Sequence, residues 1–112
     1  MLDSIMFSVS PSQLIRQRHS CRTYQKRPLA DQDLINLENN FKKAQPGPRG
    51  NQIRYSMLTA SEFKERKLPE PGTYGFIKDP AAYIVGTTYD QPGALEDFGY
   101  CMELLVLKAT EL

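Results

Sequence analysis

The sequence predicts an α+β fold in which a small central sheet is flanked by helices. Three segments carry the caps or the three- and four-residue apolar spacing of amphipathic helices, and two segments have the composition of β-strands. With 40% hydrophobic and 24% charged residues, the composition is that of an ordinary globular protein. At 112 residues, the chain is expected to form one domain, 1–112, with a modest core.

The first helix is predicted from three start signals in "SPSQLIRQR". Ser10 suits the N-cap, Pro11 suits the first helical position, and Gln13 completes a capping box. The end of this helix leads directly into a strongly basic stretch of the chain.

The second helix is predicted over "DQDLINLENNFKK". Leu34, Leu37 and Phe41 fall on one face of it. Acidic residues gather at its start, and Lys42 and Lys43 stand at its end, where the helix dipole favours each charge. The segment "QPGPRGN" then ends the helix with two prolines and two glycines.

Two strands are predicted in the second half of the chain. In "IRYSMLTA", the apolar residues Ile53, Tyr55 and Met57 alternate with polar ones, which is typical of a half-buried strand. The polar stretch that follows, "SEFKERKLPEPGTYG", is expected to hold a short helical turn before a Pro-Gly loop. "AAYIVGTTY" is a nearly continuous apolar run and predicts an interior strand.

The last helix is predicted over "GALEDFGYCMELLVLKATEL". Residues 101–107 are apolar on almost every side of it, which favours burial in a core or a subunit interface. Glu96 and Asp97 are assigned to its first turn, where carboxylates complement the helix dipole. Five apolar positions recur at steps of three and four: Leu95, Phe98, Met102, Leu105 and Ala109.

Two strands are few for a stable sheet. The last helix also runs to Leu112 without a glycine cap or a polar terminating turn. We therefore expect a second copy of the chain, or a further segment, to complete the fold.

Positive charge is concentrated in the segment "RQRHSCRTYQKRP". The net charge is only +1, and setting aside the five cations of this segment from the 14 basic residues leaves 9 against 13 acidic ones. A dedicated nucleic-acid binder is usually strongly basic, so the pattern favours a compact anion site over a long polyanion track. The five cations are Arg16, Arg18, Arg22, Lys26 and Arg27.

The cysteine spacing and the apolar runs indicate the cellular compartment of the protein. Cys21 and Cys101 lie far apart without CxxC spacing, which argues against a zinc cluster or a disulfide framework. No apolar run approaches a membrane span, and the N-terminal segment "MLDSIMFSVSPS" lacks the features of a signal peptide. We expect a soluble, cytoplasmic protein with no membrane partner and no nucleic-acid partner.

The motif R-H-S-x-R stands at the end of the first helix and is formed by Arg18, His19, Ser20 and Arg22. Guanidinium groups bind phosphate through two parallel hydrogen bonds, and a serine hydroxyl adds a neutral donor. The motif is suited to a mononucleotide phosphate, but a cluster of solvated surface arginines has the same signature. Since the sequence contains no catalytic triad order, no HExxH and no GxxxxGK[ST], no catalytic residue or metal ligand is assigned.

The segments "LIRQRHSCRTYQKRPL", "AAYIVG" and "LLVLKATEL", in this order, resemble the nitroreductase family of flavoproteins, in its branch of short members. The resemblance covers nearly the whole chain, and R-H-S-x-R is its most specific part. It implies a homodimer that holds FMN at the subunit interface. Arg18, His19, Ser20 and Arg22 would then contact the ribityl phosphate and the pyrimidine side of the flavin.

The resemblance also implies that a loop after the second helix lies against the flavin of the partner subunit. "PGPRGNQ" matches this loop and makes Asn51 and Gln52 candidate cofactor contacts. The serine of the family pattern is missing, and Gly47 stands near its place. Asn51 can also be a simple turn residue before the strand.

The implied function is that of an FMN-dependent oxidoreductase. It would pass electrons from NAD(P)H through the flavin to a small nitroaromatic or quinone-type acceptor, with the protein binding and orienting the cofactor. The resemblance ends where the family continues into a glycine-rich turn and further sheet, so we expect a partial domain. The alternatives are a non-catalytic relative that acts as a binding or dimerisation module and, less favoured by the net charge, a small nucleic-acid binder.

Overall fold

The computed structural model describes residues 5–21, 23–25, 27–66 and 80–112. Within these ranges the chain forms four helices and a two-stranded antiparallel sheet, which confirms the α+β class. The elements are α1 (Pro11–Gln17), α2 (Asp31–Asn39), β1 (Arg54–Thr59), α3 (Ala60–Arg66), β2 (Ala82–Thr87) and α4 (Ala94–Glu111).

Helix α1 begins as its start signals predict. Ser10 is extended, and its Oγ accepts a hydrogen bond from the backbone N–H of Gln13 at 3.3 Å, while Pro11 occupies the first turn. At the other end, the backbone N–H of Arg18 donates to the carbonyl of the buried Leu14 at 2.9 Å. Arg18 is itself extended, so the chain leaves the helix at this residue.

Helix α2 ends at Asn39, four residues before the predicted end. The side-chain Nδ2 of Asn40 donates to the Asn36 carbonyl at 2.7 Å and to Asn36 Oδ1 at 3.0 Å. A side-chain amide that binds the backbone in this way competes with continuation of the helix. Lys42 and Lys43 therefore lie in the turn that follows α2 and not in its last helical turn.

The sheet pairs β1 with β2 in antiparallel register. Tyr55 lies opposite Gly86, and Met57 lies opposite Ile84. Directly opposed residues share a face, so Tyr55, Met57 and Ile84 lie on one side of the sheet, and all three are half-buried. Ile53, the residue before β1, is buried, which confirms the predicted alternation.

The strand predicted at 81–89 forms over Ala82–Thr87. Among the described residues it pairs with β1 in a two-stranded sheet, so within these residues it is not an interior strand of that sheet. Val85 is 44% exposed on the face opposite Ile84. The continuous apolar run reflects one face that packs on α4 and a second face that is left partly open to solvent. The Pro-Gly loop predicted before this strand lies in 67–79, outside the described residues.

Helix α4 is confirmed, but its buried stripe is displaced from the predicted one at its start. Leu95 is 83% exposed, whereas the buried positions run at spacings of three and four from the residue before it. The reason is that the first turn of α4 packs against the loop 47–51. Backbone N–H groups of this loop bind the Asp97 side chain, so Asp97 is buried and Leu95 faces solvent. The buried positions at this spacing are Ala94, Asp97, Cys101 and Leu105.

The core forms around the C-terminal half of α4. Leu105, Ile5 and Ala44 make up a buried cluster, against which half-buried side chains of the sheet and helices pack. Phe41 and Tyr55 stack with their ring centroids 5.3 Å apart. Because α4 contacts α1, α2 and β2, it positions the end of α1 relative to the sheet.

Candidate functional site

An open groove with a volume of about 1140 Å³ runs between the segment that follows α1, strand β2 and the C-terminal half of α4. Its volume lies above the usual range of about 300–1,000 Å³ for small-molecule and cofactor sites, as expected of a groove that is open to solvent. One wall is polar and the floor is mostly apolar, so the groove can accept a ligand with one charged end and one flat apolar end.

The polar wall consists of three consecutive residues of the predicted motif. Arg18, His19 and Ser20 all line the groove, because α1 ends at Gln17 and the extended chain then carries them along the edge of α4. The His19 Nδ1 lies 3.4 Å from the Gln17 carbonyl oxygen. The other ring nitrogen, Nε2, lies 3.7 Å from the Sγ of the exposed Cys21.

The fourth residue of the motif, Arg22, lies outside the described residues. Its assignment as a phosphate ligand therefore stays a prediction. Arg18 is the arginine of the motif that the structure places, and its Nε lies 3.9 Å from Oε1 of Glu103 on α4. Both side chains of this pair are open to solvent.

The apolar floor was not predicted as part of a site. Ile84 comes from β2, and Met102, Val106 and Ala109 come from α4, with Tyr24 on the side of the polar wall. A sequence signal was present: residues 102 and 106 are four apart and share a helix face. This spacing predicts burial in a core or a subunit interface, because it does not distinguish a packed face from a face that lines a groove.

The donor set fits a flavin mononucleotide. An exposed guanidinium and a serine hydroxyl are ordinary ligands for a phosphate, and an apolar floor suits a planar ring system. The described side chains that would hold the cofactor are Arg18, His19 and Ser20 at the polar wall, together with the floor residues Ile84, Met102 and Val106. Bound FMN would supply the electron-transfer chemistry, which amino-acid side chains do not provide.

Asn51 lies elsewhere, beside the first turn of α4. Its backbone N–H and its Nδ2 each donate to Oδ2 of Asp97 at 2.9 Å, and Nδ2 also donates to the Pro92 carbonyl at 3.0 Å. Asn51 does not line the groove. Asp97 precedes Met102, the first residue of α4 that lines the groove, by five positions, which is about 7.5 Å along a helix. Within one chain, Asn51 is therefore not brought together with the motif of Arg18.

Asp97 is the organising residue of the loop 47–51. It is 0% exposed, and its Oδ1 accepts a hydrogen bond from the Arg49 backbone N–H at 3.0 Å. Burial alone would raise its pKa, but the hydrogen bonds from Arg49 and Asn51 outweigh burial and the pKa of Asp97 is lowered. Sequence reasoning assigned this carboxylate to the helix dipole and missed its contact with the loop.

Gly47 contacts the same carboxylate. A Cβ atom at this position would overlap the Cβ and Cγ atoms of Asp97, so only glycine fits here. The Gly47 backbone N–H also donates to the Asn51 carbonyl at 2.9 Å, which closes the loop.

Gln52 is exposed at the end of this loop, two residues before β1 begins. Its carbonyl oxygen accepts a hydrogen bond from Thr88 Oγ1 at 2.9 Å, so its backbone is fixed while its side chain faces outward. Gln52 does not line the groove of its own chain. Contact of Asn51 or Gln52 with a flavin stays a prediction that concerns a partner subunit.

The two cysteines differ in burial: Cys21 is exposed, whereas Cys101 is buried. Burial first, and then the nearby charge of Asp97, raises the pKa of the Cys101 thiol despite a hydrogen bond with Tyr55. Burial likewise raises the pKa of the Tyr55 hydroxyl, which donates to the Ala44 carbonyl at 2.7 Å. Both groups remain neutral at ordinary pH, so Cys101 is a core residue, as the sequence suggests.

The described residues offer neither a metal cluster nor a membrane-spanning helix. Over 5–21, 23–25, 27–66 and 80–112, no group of three or more His, Cys, Asp or Glu side chains is arranged to hold a metal ion. In the same ranges, no helix combines the length and apolarity needed to cross a membrane.

Comparison with known proteins identifies the family. A family model described as "Putative TM nitroreductase" matches residues 12–112. No curated protein matched the chain, and no solved structure matched it. The matched range contains every residue that lines the groove, together with the loop 47–51, and the family description is that of an oxidoreductase. The chain therefore belongs to the nitroreductase family that this model describes.

Proposed function

We propose that the protein is an FMN-dependent oxidoreductase that takes electrons from NAD(P)H and passes them to a small nitroaromatic or quinone-type acceptor. One observation carries the proposal: in a member of a nitroreductase family, Arg18, His19 and Ser20 together form the polar wall of a groove whose floor is mostly apolar. The groove is large enough for a phosphorylated, planar cofactor, and its polar wall and apolar floor suit the two parts of such a molecule.

In this arrangement the residues bind and orient the cofactor. Arg18 binds the phosphate through its guanidinium group, and Ser20 adds a hydroxyl donor. His19 lies between them and contacts the pyrimidine side of the flavin. The side chains of Met102 and Val106 face the ring system and exclude water from it.

Two further parts of the proposal concern Arg22, which lies outside the described residues, and the loop that ends in Asn51 and Gln52. Arg22 adds a second guanidinium to the phosphate, and its replacement by alanine is expected to weaken FMN binding by roughly one to a few kcal/mol. The loop that ends in Asn51 and Gln52 approaches the flavin of a second copy in a homodimer. Since the Asn51 donors bind Asp97 and Pro92, the exposed Gln52 side chain is the better candidate for that contact.

The binding test is a titration of the purified chain with FMN, followed by flavin fluorescence. Arg18→Ala is expected to weaken binding about tenfold or more, because a charge-assisted hydrogen bond to phosphate is lost. Arg16→Ala is the matched control, since Arg16 is exposed on α1 but does not line the groove. Equal affinity of the two variants would contradict the assignment of Arg18.

The activity test is NAD(P)H oxidation in the presence of excess FMN, compared with the rate for free flavin. A rate above that of free flavin, together with a dimeric mass in solution, supports the proposed oxidoreductase. If the chain binds FMN without this rate, the function is that of a non-catalytic binding or dimerisation module.

A further inference from the structure

Arg18 has an anionic partner within its own chain. Its Nε lies 3.9 Å from Oε1 of Glu103, which projects from α4 between two residues that line the groove, Met102 and Val106. The Arg18 and Glu103 side chains are 39% and 51% exposed, so the pair lies at the rim of the groove in contact with solvent.

We infer that Glu103 competes with the phosphate of the ligand for Arg18 and thereby limits the preference of the groove for a phosphorylated flavin over riboflavin. The inference rests on the proposed function. A phosphate that binds the Arg18 guanidinium in a two-bond geometry has to displace the Glu103 carboxylate or share the guanidinium with it. Two anions on one cation also repel each other, which weakens the phosphate complex.

The other carboxylates of α4 already have partners or lie far from Glu103 along the helix. Asp97 is buried and accepts hydrogen bonds from the loop 47–51. Glu111 pairs with Lys108 at 2.7 Å. Glu96 precedes Glu103 by seven positions, about 10 Å along the helix axis. Glu103 is therefore the carboxylate of α4 that faces the proposed phosphate ligand.

The expected effect is modest, because both partners are exposed and solvent screens their attraction. Removing the charge of Glu103 should raise the affinity for FMN about two- to fivefold, the range that corresponds to an exposed ion pair. This change in FMN affinity is opposite in direction to the one expected for Arg18→Ala. Riboflavin has no phosphate, so its affinity should not change.

The experiment measures the affinities of the wild-type chain, Glu103→Gln and the control Glu96→Gln for FMN and for riboflavin. Fluorescence titrations at low ionic strength give the dissociation constants, and thermal unfolding of each variant verifies that it is folded. Glu96→Gln makes the same charge change on the same exposed helix surface, and so it corrects for the general gain in positive potential.

The expected result is tighter FMN binding by Glu103→Gln than by both other proteins, with riboflavin affinity unchanged. The inference is overturned if the wild-type chain binds FMN and Glu103→Gln binds it no more tightly, a result that leaves the proposed function intact. An equal gain for FMN and riboflavin also overturns it, since the phosphate is then not involved. If the wild-type chain binds neither flavin, both the proposed function and the inference fail.

Discussion

Asp97 and Asn51 are joined by two hydrogen bonds to a single oxygen atom. The backbone N–H and the side-chain Nδ2 of Asn51 both donate to Asp97 Oδ2, each at 2.9 Å. Because Asp97 stands in the first turn of α4, these bonds attach the loop 47–51 to the helix that also lines the groove. The relative position of loop and helix thus depends on a buried carboxylate with three backbone or side-chain donors around it.

Replacing Asp97 by asparagine should destabilise the fold. An asparagine has one acceptor oxygen where the carboxylate has two, so its amide hydrogens would face either the N–H of Arg49 or the two donors of Asn51. We expect a fall in the melting temperature on the order of 5–10 °C, measured by circular dichroism. Asp90→Asn is the control, because Asp90 is exposed, and it should melt within about 2 °C of the wild-type chain.

The stability difference between the wild-type chain and Asp97→Asn should depend on pH. The pKa of Asp97 is lowered in the folded chain, since hydrogen bonding outweighs burial. A carboxyl group of this kind contributes stability above its unfolded pKa, near 4, and loses the contribution as the pH falls through the folded value. Melting curves from pH 7 down into the acid range should show the two proteins converging. A constant difference would contradict the assigned ionisation of Asp97.

Two glycine substitutions should change stability in opposite directions. Gly47→Ala places a Cβ atom onto the Asp97 side chain and should cost about 1–3 kcal/mol of unfolding free energy. Gly99→Ala lies within α4, where a Cβ would meet nothing within 4 Å, and should stabilise the helix by about 0.5–1 kcal/mol. Urea unfolding of both variants measures the change in unfolding free energy and its sign for each. Destabilisation by Gly99→Ala would show that α4 is packed on that side in solution.

The sequence predicts local structure here better than it predicts how surfaces are used. The capping residues Ser10 and Pro11 define the start of α1 because their effect is local. The exposure of Leu95 and the burial of Asp97 depend on a loop about fifty residues earlier in the chain, so spacing within the helix does not reveal them.

The candidate site shows the same division. Arg18, His19 and Ser20 are adjacent in the sequence, so a motif identifies them. The groove floor combines Ile84 from β2 with Met102 from α4, and only the packing of these two elements makes them neighbours. Sequence periodicity predicts that each of these residues lies on an apolar face, but it does not predict that the two faces meet.

Tyr55 should contribute through its hydroxyl as well as its ring. Tyr55→Phe retains the stacking on Phe41 but removes the hydrogen bond to the Ala44 carbonyl, so it should cost about 1 kcal/mol of unfolding free energy. Tyr100→Phe is the control, because Tyr100 is exposed on α4 and should lose nothing measurable. Chemical denaturation compares the two, and equal stability of both variants would argue against the buried hydrogen bond.

Glu111 should hold the N-terminal segment on the end of α4. Its Oε1 accepts the backbone N–H groups of Ser8 and Val9, and its Oε2 binds Lys108. In Glu111→Ala, the amide hydrogens of Ser8 and Val9 should exchange with solvent roughly tenfold faster or more, because both lose their acceptor. Exchange measured by NMR in Glu96→Ala provides the comparison, and similar protection in both variants would exclude the contact in solution.

A bulky residue on the groove floor should block the cofactor without unfolding the chain. Ala109 is exposed and lines the groove, so Ala109→Trp fills space that the proposed flavin needs. Because the tryptophan occupies this space, we expect FMN affinity to fall by about tenfold or more. The melting temperature should change by less than about 3 °C, since Ala109 is exposed. Leu95→Trp is the matched control, since Leu95 is on the same helix, is 83% exposed and does not line the groove. If both tryptophan variants bind FMN as the wild-type chain does, the flavin binds elsewhere, and Arg18 and Ser20 have to be reinterpreted as solvated surface residues.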